Sequence, residues 1–349
     1  MNTLLFENAD YAALMQCGEL LRQGELVCFP TETVYGLGAN ALDAEAVAKI
    51  FKTKNRPADN PLIAHISDFD MIHQVALSIP DDMKELTDLF WPGPLTIVLP
   101  RRKELPDIVS AGLDTVAVRC PDHPIAAALI RAAGVPIVAP SANLSGRPSP
   151  TCLAHCQEDL TGKIAAIIDG GECCIGVEST VLLPLGNHRV KILRPGGITV
   201  DMLQNAGFDV EVDPAVLNPV KEGQKVSSPG MLHRHYAPKA PLFIVRGDCE
   251  KVCDAILNAM NEDTWVLAFD EYIDRFPRAV SFGSKSDPLS QSQALFRALR
   301  EFDHLPCKKI YAMEPPESGM GLAVRNRLLR AASFQIVDAE LLMQKGYDI

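Results

Sequence analysis

Short runs rich in valine and isoleucine, bounded by glycine or proline, alternate with amphipathic stretches along most of this chain. Such a chain packs helices against a sheet. In the first two hundred residues the strand-like runs are 26–29, 95–99, 115–118, 136–139, 164–168, 180–183 and 190–193. The helix-like stretches are 9–22, 44–54, 83–90, 125–133 and 200–206. The second of these has the cleanest start, because Asp43 is placed to cap it and Val47, Ile50 and Phe51 fall on one face. The mixture predicts an α/β domain with parallel and antiparallel neighbours.

The pattern breaks over 209–241, which has little periodicity and much proline, glycine and serine. A connection of that length is usually functional or disordered. It carries His233, Arg234, His235, Tyr236 and Lys239, unusual chemistry for a spacer. Beyond it, strands at 242–245, 265–269 and 309–312 alternate with helices at 249–260, 289–302 and 322–332. This predicts a small parallel, Rossmann-like sheet. No G-x-G-x-x-G follows its first strand, so a dinucleotide site is not supported, and Gly319, Met320 and Gly321 read as a turn and a helix start. The expected organisation is a first domain over 1–208, a linker over 209–241 and a second domain over 242–349.

A length of 349 residues suits two domains. With 47% hydrophobic and 22% charged residues, the chain is neither disordered, collagen-like nor a coiled coil. The formal charge of −11 counts against a general nucleic-acid binder but leaves room for a small site with clustered cations. No run reaches the ~20 apolar residues a membrane span needs. Glu7 and Asp10 interrupt any signal-peptide core, so the cytoplasm is the expected location. The ten cysteines include no C-x-x-C pair; Cys152, His155 and Cys156 form a local grouping without a second cluster. Reduced thiols and no protein-held metal are expected.

Five segments of the first domain place polar groups at strand ends or turns, where ligands bind in α/β proteins. Residues 29–38 put two threonines and a glutamate between Pro30 and Gly36. Residues 52–65 run Lys52, Lys54, Arg56, Asn60 and His65 from a helix end through a loop. The helix dipole alone accounts for the two lysines, but not for the arginine, whose planar fork suits phosphate. In 114–121, alternation sets Thr115, Ala117 and Arg119 on one face, and a core arginine requires an anion: a structural salt bridge or a bound carboxylate. Residues 138–149 are rich in small hydroxyls. The fifth segment is 176–181, with Arg194-Pro-Gly-Gly197 after the next strand. Neither a P-loop nor a G-x-S-x-G elbow is present.

The ordered set PTETVYGLG (30–38), KNRPADNPL (54–62), AVRCP (117–121), APSANLSG (139–146), GVESTV (176–181) and ILRPGG (192–197) closely resembles the YrdC-like domain. SPGMLHRHYAPKAPL (228–242) and GLAVRNRLLRAA (321–332) resemble the linker and C-terminal domain of the longer threonylcarbamoyl-AMP synthases. The resemblance implies a YrdC-like twisted mixed sheet with helices, a Rossmann-like C-terminal domain, and a linker acting as a lid. It also implies synthesis of L-threonylcarbamoyladenylate and pyrophosphate from L-threonine, bicarbonate and ATP. A separate transferase would then modify tRNAs reading codons that begin with A. By resemblance, Lys54 and Arg56 form the catalytic K-x-R pair. Thr33, His65, Arg119, the backbone of Ala139 and the hydroxyl of Ser179 meet threonine. Arg56, Asn60, Thr115, Ser141, Ser149 and Arg194 hold the nucleotide, with Tyr236 covering it, or His233 or His235 in its place.

Every reactant is anionic, so fixed cations and an ATP-borne Mg2+ would offset repulsion. A labile carbamate and mixed anhydride make a closing linker sensible. No general base is read. One rival is a double-stranded-RNA binding module, which the charge of −11 disfavours. Another is a carbamoyl-phosphate-using adenylation domain, whose zinc-finger-like cysteine clusters are missing from this sequence.

Overall fold

The computed structural model describes residues 2–219 and 235–344. Residues 220–234 of the expected lid, His233 among them, lie outside the described residues. The described chain divides into two compact units, one of residues 2–145 and 149–216, the other of 146–148, 217–219 and 235–344.

The first unit runs β1 (Leu4–Phe6), α1 (Tyr11–Arg22), β2 (Val27–Phe29), β3 (Gly36–Asn40), α2 (Ala44–Lys54), β4 (Ile63–His65), α3 (Asp81–Phe90), β5 (Leu95–Pro100) and α4 (Asp107–Ser110). It continues with β6 (Thr115–Arg119), α5 (Pro124–Ala133), β7 (Ile137–Val138), α6 (Leu153–Leu160), β8 (Ala166–Ile168), β9 (Thr180–Gly186), β10 (Arg189–Arg194), α7 (Val200–Asn205) and β11 (Asp209–Val212). Among the described residues these strands form one mixed sheet of eleven, ordered β1-β8-β2-β3-β7-β4-β6-β5-β9-β10-β11. Alternation divides its faces. Ala64, Val116, Val118, Leu95, Ile97 and Leu182 join the main core, while Ile63, Ala117, Val98, Val181 and Leu193 form a small cluster of their own.

Helix α2 follows its sequence signals. The Asp43 carboxylate accepts from the backbone N–H groups of Glu45 and Ala46, and Asn55 ends the helix in a left-handed conformation. Strand β3 is not among the runs the sequence pattern marks, because its glycines lack the β-branched residues that mark the others. A Cβ on Gly38 would sit 2.9 Å from the ring of Phe29, and Val27 and Phe29 pair with Gly38 and Gly36. The glycines are therefore where an aromatic ring lies across the strand.

The linker expected from 209 begins later. Asp209–Val212 pairs in parallel with β10, and Val216 is buried in the first unit. A four-residue edge strand covers too little chain to show a period of two convincingly.

The second unit contains β12 (Leu242–Arg246), α8 (Cys249–Ala259), β13 (Thr264–Ala268), β14 (Ala279–Ser281), α9 (Pro288–Glu301), β15 (Lys309–Met313), α10 (Gly321–Ala331), β16 (Ile336–Asp338) and α11 (Ala339–Leu342). Its sheet is parallel throughout, ordered β14-β13-β15-β12-β16, as the alternating strand and helix pattern requires. The short edge strands β14 and β16 carried no clear sequence signal.

Candidate active site

Pairing register aligns one row of side chains across five neighbouring strands. His65 on β4 pairs with Arg119 on β6, Arg119 with Thr96 on β5, Thr96 with Val181 on β9, and Val181 with Arg194 on β10. Residues opposite each other in a pleated sheet share a face. A register shift between Ile192 and Arg194 brings Arg194 into the row. The next row, Ile63, Ala117 and Val98, is apolar and belongs to the small second cluster. A polar row of His65, Arg119, Thr96 and Arg194, all buried, thus adjoins a dry patch on one face.

Loops at the strand ends complete the site. The hydroxyls of Thr31 and Thr33 share a hydrogen bond of 2.8 Å, and Thr31 Oγ1 donates to the Val34 carbonyl at 2.6 Å. The carbonyls of Glu32 and Thr33 accept from the N–H groups of Ile175 and Gly176, fastening this turn to the loop before β9. Ser179 is held from two sides: its hydroxyl lies 2.8 Å from Thr96 Oγ1 and accepts from Arg194 Nη2 at 3.1 Å, while its carbonyl accepts from Arg194 Nε. Gly196 makes this packing possible, since a Cβ there would lie 2.3 Å from the Glu178 carbonyl and from Thr180 N.

Lys54, the last residue of α2, donates through its ammonium to the carbonyls of Ser141 and Asn143. The Ser145 N–H returns a bond to the Lys54 carbonyl. The hydroxyl of Ser141 donates to Asn143 Oδ1 at 2.5 Å, and that of Ser149 to Glu178 Oε1 at 2.7 Å. Ala139 donates its N–H to the Ile63 carbonyl, beside His65. Arg56 Nη2 donates to the carbonyls of Asn60 and Pro61, curling the 56–61 loop back on itself.

Burial shapes the charges. Desolvation brings the Lys54 ammonium down to about 7, the nearby Arg56 charge adds to this, and Asp159 and Glu178 oppose it. Burial and the Arg119 charge lower His65 to about 3, so its ring is neutral at pH 7; Nδ1 donates to the Ile63 carbonyl at 3.1 Å. Arg119 Nε donates to the Gly93 carbonyl, and Nη2 lies 2.6 Å from Glu32 Oε1. The sequence left two readings for Arg119, a structural salt bridge or a substrate carboxylate. The structure supplies the bridge, and its partner is the glutamate of the first segment.

The expected residues gather unevenly. His65, Arg119, Ser179 and Arg194 meet along the row, Thr33 on the loop tied to Gly176, and Ala139 at the start of the next turn. Lys54, Ser141 and Ser149 share the neighbouring loop pair. Thr115 stands at the opposite end of β6, paired with Pro100, about 13 Å along the strand from Arg119. Tyr236 belongs to the second unit, its ring 5.0 Å from that of Phe296 and 6.0 Å from the Arg327 guanidinium, at φ +63°. Sequence reasoning assigned no role to Glu32, Thr96, Asn143 or Glu178. For Thr96 a signal existed: Leu95, Ile97 and Leu99 are the core-facing alternation of β5, which leaves position 96 to the other face.

A family model described as "Telomere recombination" matches residues 19–196, and one described as "Threonylcarbamoyl-AMP synthase, C-terminal domain" matches residues 198–333. The chain is 44% identical to threonylcarbamoyl-AMP synthase of Pyrococcus abyssi over 91% of its length and 93% of that protein. Identity to the threonylcarbamoyl-AMP synthase of Bacillus subtilis is also 44%, over 93% of this chain and 94% of that one. The crystal structure of P. abyssi Sua5 complexed with L-threonine superposes with a TM-score of 0.88 at 40% identity, covering 97% of this chain and 99% of that one. With both matched regions present in order and relatives covered almost end to end, the chain belongs to the threonylcarbamoyl-AMP synthase family.

Proposed function

We propose that this protein makes L-threonylcarbamoyladenylate, releasing pyrophosphate, from L-threonine, bicarbonate and MgATP, as a nucleotidyltransferase. The observation that carries the reading is the buried row in which Arg119 and neutral His65 share a face with Thr96 and Arg194, the pair that holds Ser179. The L-threonine complex of a relative that matches along almost the whole chain supports it.

In this reading Arg119 meets the threonine carboxylate, and Thr33, His65, the Ala139 backbone and Ser179 orient its other groups. Threonine's amine takes up bicarbonate-derived CO2 as a carbamate, and a carbamate oxygen attacks the α-phosphorus of ATP. Lys54 and Arg56 offset the charge gathering there, while Asn60, Thr115, Ser141, Ser149, Arg194 and Tyr236 hold the nucleotide. Mg2+ arrives with ATP. The adenylate passes to a separate transferase that forms N6-threonylcarbamoyladenosine on tRNAs reading ANN codons. The synthase works in the cytoplasm without a stable grip on nucleic acid, consistent with its charge of −11. Among the described residues no helix is long and apolar enough to cross a membrane.

The test is pyrophosphate release by the purified protein. Release that requires threonine, bicarbonate and MgATP together is expected. Release indifferent to threonine overturns the reading.

A further inference from the structure

Three buried polar atoms, one on Arg119 in the row and two on Glu32 beside it, share one defect. Glu32 and Arg119 face each other at 2.6 Å with side chains 5% exposed, yet the contact lies off hydrogen-bond geometry. Glu32 Oε1, Glu32 Oε2 and Arg119 Nη2 have no hydrogen-bond partner among the described residues. A buried carboxylate with both oxygens unused, beside a guanidinium with an unused N–H group, is costly and calls for an explanation. The glutamate lacks a donor and the arginine lacks an acceptor. An α-amino acid supplies both, with its ammonium and carboxylate a bond or two apart.

Charge gives the same answer. Arg119 and Glu32 cancel, and His65 beside them is held neutral by burial and by Arg119. This part of the site therefore suits a ligand that is itself a zwitterion. Arg119 alone would favour any simple carboxylate.

On the reading that this site takes L-threonine, we propose that Glu32 is the residue that recognises the threonine ammonium. With Arg119 on the carboxylate, the four charges alternate in sign around a closed ring. Glu32 is then what makes the site select an amino acid over the matching hydroxy acid. Its backbone, fastened to Ile175, and the Thr31–Thr33 hydroxyl pair keep the carboxylate in place.

The experiment is calorimetry with L-threonine and with 3-hydroxybutanoate, which keeps the carboxylate and hydroxyl but lacks the amine. Wild type, E32Q and E32D are compared, with MgATP binding as the check that each variant is folded. In E32Q the threonine affinity is expected to fall about tenfold to a hundredfold, as for loss of a charged hydrogen bond, while 3-hydroxybutanoate binds as well as before or better. E32D, which keeps the charge one methylene short, falls between the two. If E32Q does not bind MgATP, the E32D threonine-to-hydroxybutanoate ratio decides, and an unchanged ratio overturns the proposal. Equal losses for both ligands would show that Glu32 only places Arg119, and this also overturns it. Failure of the wild type to bind threonine overturns the functional reading itself, a result separate from either.

Discussion

Each unit buries several arginines, and one from each shows a different way of satisfying such a charge. In the second unit Arg325, on α10, meets Glu314 at 2.6 Å and Glu317 at 2.8 Å, and Arg246 shares the same Glu314. In the first unit Arg119 touches one carboxylate out of hydrogen-bond geometry and one carbonyl at 3.3 Å. Both side chains are 5% exposed, so burial does not distinguish them. What differs is how much binding capacity the fold has used. A structural cation is saturated by its own neighbours, whereas a site cation keeps donors in reserve for a ligand.

Substitution separates the two roles. Arg119→Ala is expected to weaken threonine binding by more than about a hundredfold while MgATP still binds, measured by calorimetry. Retained threonine affinity would erase the contrast. Arg325→Ala, which leaves Glu314 paired with the more exposed Arg246, is expected to destabilise the protein by about 2 kcal/mol in denaturant unfolding and to leave threonine affinity within about twofold. A threonine defect of the size seen for Arg119→Ala would show that this cation also serves the site.

Lys54 sharpens the comparison through pH. Its folded-state pKa is lowered to about 7, so the ammonium is present below that pH and lost above it. Bound phosphate favours the charged form, so MgATP affinity should fall about tenfold from pH 6 to pH 8, and the dependence should vanish in Lys54→Arg. The folding linkage has the opposite sign. Between about 7 and 10.5 the unfolded chain holds more protons at this residue, so its contribution to stability rises with pH across that window. The smallest effect is expected from Thr96→Val, which removes the 2.8 Å contact to Ser179 and costs about 1 kcal/mol, read as a few-fold rise in the threonine KM with kcat little changed.

Much of this was visible before any coordinates. The 44–54 helix is legible with its cap because Asp43 and the apolar spacing are local signals acting within a few residues. The strands carrying Arg119 and Thr96 were read from β-branched residues and their alternation. Strand β3 was not, because its glycines serve a ring on the neighbouring strand, and β11 was lost in the approach to the linker. The hydroxyl-rich and cationic loops are legible only as an ordered set, since each alone also serves as an ordinary turn or helix end.

By itself the sequence determined the α/β class, the two-part organisation and the stock of anion-binding groups, since these rest on local pattern and residue chemistry. The tertiary structure alone decided which groups meet. The row from His65 to Arg194 exists because five strands pair in one register, and a slip of one residue would turn every side chain to the other face. Glu32 was one polar residue in a turn until the fold set its carboxylate 2.6 Å from Arg119. Electrostatic partnership depends on distance and burial, and neither is written in the order of residues along the chain.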